Sequence, residues 1–474
     1  MSPRRTLLVL LVTLLTLAAT ASAEARVPVH YKVIDGFAAN GTPTDLNRVG
    51  IVKTGRLKAP NVLVLNPGTS AGGGYFEPLA KTIARKLPSW QVWSVERREN
   101  FLEDQSMLDA AKRGDATAQD VFDYYLGYLT DPSVTDHYTP VQDADVPFAR
   151  NWGMNVEVQD LHRVVRVASR HSRNVAMGGH SLGGTITTAY ATWDFKGAAG
   201  ADALSGLVLI DGASRTTPIS PEDAQSALDD LQNNTPWLAF GGIPAPFAGL
   251  FGMVGSTVAI VDPDGPSILE TWPLLPPFLK GPVPATNKAA YGYSTDVATS
   301  PPSLAAAQVH AGHLAASGDP RGWDRDGAIT PLKRWAAMFS GWGLNGVDGT
   351  AWYHPMRLTL DGGAVGNGIA NPAQDVLNVH ATHGTDLPRD LRIYAFGAAL
   401  GGDRVPAAAE ALAEQSGIPA SNLTLANRAN TYAHNDPNSA APDVNKFLKK
   451  LIPFLRGIRP VSYTHLTLPT ILRV

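Results

Sequence analysis

Apolar positions recur along this chain with two different periods, and the switches between them mark out its elements. Over residues 27–52 they alternate with polar ones, at Val27, Val29, Tyr31 and Val33, which predicts an antiparallel strand pair at a sheet edge. Val62-Leu63-Val64-Leu65 is instead an unbroken apolar run, as a strand buried on both faces requires. A Gly-rich loop follows it, then a predicted helix over 76–87 and a strand over 91–95. Val158, Leu161, Val165 and Ala168 fall on one helical face, ahead of short apolar strands at Val175-Ala176-Met177 and Leu207-Val208-Leu209-Ile210. Between 214 and 389 the alternation stops. It resumes with a strand over 391–396, a helix over 406–415, a strand over 423–425 and a helix over 444–455. Strands and helices that alternate around one long interruption predict a mostly parallel α/β sheet carrying a lid or cap.

The interrupting segment holds Trp237, Trp272, Trp323, Trp335, Trp342 and Trp352, six of the ten tryptophans in the chain. Disordered linkers are poor in aromatics, so it is expected to fold. With 474 residues and 44% hydrophobic content the core is substantial. The formal net charge of −3 leaves no basic excess to neutralise phosphates, which argues against nucleic acid as a partner. The chain has no cysteine, which excludes a disulfide framework, a catalytic thiol and a thiolate metal site.

Both ends read as something other than folded domain. Arg4 and Arg5, the apolar stretch over 7–19 and Ala21-Ser22-Ala23 have the pattern of a secretory signal over residues 1–23. The apolar stretch is too short for a comfortable membrane span, so the mature protein is expected to be secreted without a stable membrane anchor. A cysteine-free secreted chain of this size, rich in Ala, Gly and Pro and poor in Lys, points to a bacterium. Residues 460–474, with Ser462-Tyr463-Thr464-His465-Leu466-Thr467-Leu468-Pro469-Thr470, resemble a translated sequencing adapter, and His465 is given no weight. The expected division is therefore a first core part over 24–213, a lid over 214–389, a second core part over 390–459, and the two flanking segments.

Gly179-His180-Ser181-Leu182-Gly183 is the most informative motif. It joins a buried strand to a helix-compatible segment starting near Thr185, so a serine stands at the apex of a sharp turn. In a parallel α/β sheet chemistry gathers at the carboxyl ends of the strands, where Ser181, Asp211, Asp403, His434 and the loop 67–74 all fall. With these residues in this order, the chain resembles the α/β-hydrolase family over about 61–211 and 391–455. The resemblance implies that Ser181 is the nucleophile. His434, in the loop between the last strand and the last helix, is implied as the base. Asp403, which precedes Arg404-Val405-Pro406, is the first candidate acid, with helix capping as its other role. Asp211 is the alternative acid. The family's oxyanion donors would be the amide of Leu182 and one from the loop after the early strand. That loop carries Pro67-Gly68 where most relatives have His-Gly, and Thr69 is the candidate, with Ser70 next.

These residues predict a serine hydrolase that cleaves carboxylic esters, with a small-molecule or lipid ester as its partner and no cofactor. A peptidase or amidase of the same fold, and a non-catalytic binding protein on the same scaffold, are the alternatives. The histidine pairs His310/His313 and His380/His383 have no carboxylate at ligand spacing, so no metal is expected there. Tyr124-Tyr125 and the lid tryptophans have two readings, core or acyl pocket.

Overall fold

A computed structural model describes residues 27–458. The signal segment and the adapter-like tail lie outside the described residues. Eight strands form one sheet in the order β1-β2-β4-β3-β5-β6-β9-β10: β1 (Val29–Asp35), β2 (Arg48–Thr54), β3 (Asn61–Asn66), β4 (Trp90–Glu96), β5 (Asn174–His180), β6 (Gly206–Ile210), β9 (Arg392–Gly397) and β10 (Leu423–Asn427). A separate hairpin pairs β7 (His313–Gly318) with β8 (Arg321–Asp324). β2 runs antiparallel to both β1 and β4, and all other pairings in the large sheet are parallel.

The unbroken apolar runs have a direct physical reason. Val62, Val64, Val175, Met177, Leu207, Leu209, Ile393 and Ala395 face one core, while Leu63, Leu65, Ala176, Val208, Ile210, Tyr394 and Phe396 face the other. Successive side chains leave a strand on opposite faces, so burial on both sides demands apolar residues at every position. The first core is closed by the helices Met154–Ser169, Leu182–Thr192 and Arg404–Gln415, the second by Glu77–Lys86, Leu332–Phe339 and Lys446–Gly457.

Between β6 and β9 the chain forms several helices, long loops and the β7–β8 hairpin. The stretch over 98–152, which shows no strand–helix alternation, packs with it. Tyr125 and Tyr138 meet Trp352 edge-on at ring-centroid distances of 5.5 and 5.4 Å, and Val121, Leu250, Met253 and Val254 share their cluster. The cap over the sheet is thus built from two separate stretches of chain. The segment from Met356 to Leu377 turns back and packs against the first core through Leu358, Val365 and Leu377. Among the described residues no helix is long and apolar enough to cross a membrane.

Candidate active site

Ser181 follows β5 directly and precedes the helix Leu182–Thr192, which starts earlier than its sequence pattern suggests. Its backbone is at φ 57°, ψ −126°, a left-handed conformation that L side chains rarely adopt. Such a turn leaves no room beside it: a Cβ on Gly179 would collide with the Gly183 carbonyl, and one on Gly183 with the Asn66 carbonyl. Asp211, at the end of β6, has φ 44°, and Ser70, in the loop after β3, has φ 53°. Three of the six described non-glycine residues with positive φ therefore stand at this one place. Strain of about 1–3 kcal/mol at each such residue persists only where the surroundings enforce it.

Asp211 and His434 form a buried pair, with carboxylate Oδ2 accepting from imidazole Nδ1 at 2.6 Å and side-chain exposures of 0% and 1%. Backbone amides hold the carboxylate from behind. Oδ1 accepts from Ala398 (2.6 Å) and Gly401 (2.9 Å), and Oδ2 from Leu400 (3.2 Å). Burial pushes the Asp211 carboxyl up, but the His434 hydrogen bond and charge and the Ala398 amide outweigh it and leave it below the ordinary carboxylate value. Because Asp211 holds Nδ1–H, the Nε2 of a neutral His434 is the basic nitrogen.

Asp403, the first candidate acid, is not brought to His434. Asp403 is exposed, and its carboxylate accepts from the Asn427 side chain instead. Nor does its side chain cap the helix it precedes. Asp436 also turns away from His434. It accepts from His310 Nδ1 (2.6 Å) and the Thr330 hydroxyl (2.7 Å), and so ties the insertion to the His434 loop.

His180, the second residue of the pentapeptide, has a role the sequence reading did not assign. Its Nε2–H donates to the His434 carbonyl at 2.9 Å, and its ring lies against that of His434 at 4.2 Å between centroids. Tyr75 stacks on the same imidazole and places its hydroxyl 3.2 Å from Nδ1. Burial, then the neighbouring His434, lowers the His180 pKa to about 3, so the ring is a neutral support. Aromatic stacking and loop carbonyls leave no sequence pattern, so only its place in the motif could have flagged it.

Thr69, Ser70, Ser181 and His434 line one cavity together with Phe240, Phe251 and other mainly apolar cap residues. It encloses about 1230 Å³ of space, part of it open to solvent. On another side Ser181 borders a more open cleft of about 1180 Å³ that includes Asp211, Leu360 and Arg404. None of the six cap tryptophans and neither Tyr124 nor Tyr125 is among the residues lining the main cavity. The Ser181 hydroxyl makes no hydrogen bond to a described residue in this conformation, and nucleophile–base bonds are commonly long before substrate binds. Among the described residues, nothing accepts from the amides of Thr69 and Leu182.

The loop carrying Thr69 is held by Arg97, whose side chain is fully buried. Arg97 donates to the carbonyls of Pro67 (3.0 Å), Gly68 (3.1 Å) and Ala71 (3.1 Å), and its Nε pairs with Glu99 at 2.6 Å. Glu157 lies nearby, and burial, only partly offset by Arg97, raises its pKa to about 8. The folded state thus keeps a proton that the unfolded chain releases from about pH 4.5 upward. Stability from this group is full below that value and falls as pH rises towards 8. Glu157→Gln is therefore expected to gain about 3–4 kcal/mol on wild type between pH 5 and pH 8. Denaturant unfolding of both proteins across that range measures the gap, and a pH-independent gap would refute the assignment.

The strand order, the parallel pairings flanking β3, β5 and β6, and the serine turn after β5 define the α/β-hydrolase fold, which this chain has. No protein-family model and no curated protein matches its sequence. Solved structures similar to it include a Sulfolobus solfataricus protein assigned as a lipase (14% identity, TM-score 0.46, covering 91% of this chain and 95% of that one). Others are epoxide hydrolase A of Mycobacterium thermoresistibile (12%, 0.40, 91% and 100%) and a carboxyl esterase of Bacillus coagulans (12%, 0.40, 91% and 99%). At this distance they say nothing of the reaction, and the fold assignment rests on the strand order. Among the described residues no group of three His, Asp or Glu side chains could hold a metal ion. His383 pairs with Asp386 and Asp194.

Proposed function

We propose that this protein is an exported bacterial serine hydrolase that cleaves carboxylic esters through an acyl-enzyme on Ser181. The observation that carries this reading is the buried 2.6 Å Asp211–His434 pair, whose histidine lines the same cavity as the strained Ser181. His434 Nε2 takes the hydroxyl proton as Ser181 Oγ attacks the ester carbonyl, and Asp211 stabilises the imidazolium that forms. The amides of Thr69 and Leu182 receive the oxyanion, with the N-terminus of the helix Leu182–Thr192 adding its dipole. His434 then protonates the departing alcohol, and a water activated by His434 releases the acid. The chain's residues carry these steps without a cofactor.

The apolar cavity favours a hydrophobic or bulky acyl group, and two spaces meeting at Ser181 leave room for both arms of an ester. Glu270 also lines the cavity, but its oxygens accept from the amides of Gly281 and Ala285 at 3.1 Å each. That leaves it poorly disposed to take a substrate's amino group, which weighs against an exopeptidase. A fluorophosphonate probe should label folded protein at Ser181, located by peptide mass spectrometry. Turnover of p-nitrophenyl esters should rise from acetate to octanoate. Absence of labelling would favour a binding protein, and preferential turnover of aminoacyl amides an amidase.

A further inference from the structure

Arg97 is not among the residues lining the cavity, yet its buried guanidinium contacts the loop on which the oxyanion site depends. A fully buried arginine must be paired and hydrogen-bonded, and this one spends its bonds on Glu99 and on three carbonyls of a single five-residue loop. The Gly68–Thr69 peptide is trans, so the Thr69 N–H points opposite to the Gly68 carbonyl. With that carbonyl drawn to Arg97, the amide faces away from it, on the residue that lines the cavity. Gly68 itself lies against the nucleophile: a Cβ added there would stand 2.8 Å from the Ser181 Cβ. Glycine is also the residue at which a peptide unit turns over most cheaply. If this peptide turned over, a carbonyl dipole would meet the developing oxyanion in place of an N–H.

We propose that Arg97 is a positioning residue for the oxyanion site, holding the Gly68–Thr69 peptide in the one orientation that presents the Thr69 N–H to the reacting carbonyl. The inference rests on the serine-hydrolase reading above. Arg97 never touches substrate and acts only through the loop. Its contact with His354 Nδ1 at 3.5 Å extends the hold to the cap. Arginine has no acceptor, so that nitrogen is the bare one and His354 Nε2–H donates to the Thr359 hydroxyl at 3.0 Å. Lysine keeps the charge beside Glu99 but lacks the fork that reaches three carbonyls.

The test is Arg97→Lys, assayed on a p-nitrophenyl ester and titrated with a trifluoromethyl ketone, whose hemiketal oxyanion occupies the same site. Removing one oxyanion donor costs about 10²–10³ in kcat. R97K should therefore lose about 100-fold in kcat with KM within about two-fold, and ketone affinity should fall by the same factor as kcat/KM. Wild-type kcat in R97K overturns the proposal, as does a lowered kcat with unchanged ketone affinity, the mark of general loosening. Should R97K not fold, Glu99→Gln, which frees one side of the guanidinium, decides: weakened ketone binding at constant KM supports the proposal and unchanged binding overturns it. Wild-type protein that neither labels with fluorophosphonate nor turns over esters is a different failure, that of the hydrolase reading itself.

Discussion

Asp211→Asn is expected to lower kcat on p-nitrophenyl esters by about 10⁴-fold, while Asp403→Asn leaves it within about two-fold. Asparagine at 211 keeps the oxygen that accepts from Ala398 and Gly401. It places an NH₂ group opposite His434 Nδ1, where the carboxylate now accepts at 2.6 Å. To avoid facing two donors, the imidazole takes the other tautomer, with Nδ1 bare and Nε2 protonated. A protonated Nε2 cannot accept the Ser181 proton, so the loss falls on kcat. Asp403 is exposed and bonded to Asn427, and takes no part in this exchange. Steady-state kinetics on both variants, with thermal melts as a fold control, checks the pair. An Asp211→Asn enzyme that keeps a tenth of wild-type kcat would remove Asp211 from the mechanism.

Ser181→Ala carries the larger expected loss, about 10⁵–10⁶ in kcat, with only catalysis by the oxyanion donors and by substrate binding left. The Ser181 hydroxyl makes no bond to a described residue, so its removal should change stability by less than about 0.5 kcal/mol. That contrast separates a nucleophile from a structural serine. A fall in activity matched by a fall in melting temperature would mean that the residue supports the turn. Full activity in a variant of unchanged stability would place the chemistry elsewhere. Burst kinetics on wild type, absent in the variant, would mark the acyl-enzyme directly.

The sheet was legible because both its faces are buried. The inner positions of β3, β5, β6 and β9 had to be free of charged side chains, and such runs show clearly in a chain this rich in glycine and proline. The serine turn was legible for a related reason, since its close backbone approaches exclude side chains at Gly179 and Gly183. The partner of His434 was harder. Asp403 has a local pattern, an aspartate before a helix start, and local patterns are what a sequence displays. Asp211 owes its place to amides 187 to 190 residues away and to a positive φ at a residue that is not glycine. No neighbouring residue encodes either. Arg97 was invisible for the opposite reason, because a buried arginine and a solvated one look alike until their surroundings are known. In the same way the stretch over 98–152 reads as a polar excursion, and only its meeting with Trp352 and Tyr353 makes it half of a cap.

The cap is joined to the loop over Ser181 by main-chain bonds: Gly72 N–H to the Gly349 carbonyl (3.0 Å), Gly74 N–H to that of Asp348 (2.9 Å), and Ala351 N–H to that of Ser70 (3.0 Å). Main-chain bonds survive side-chain replacement. Residues facing the cavity can therefore be replaced without cutting these bonds, while the seam beside the loop over Ser181 stays in register. Replacing the cap wholesale would cut that seam. If the protein is the hydrolase proposed above, its selectivity is open to point substitution and closed to module exchange.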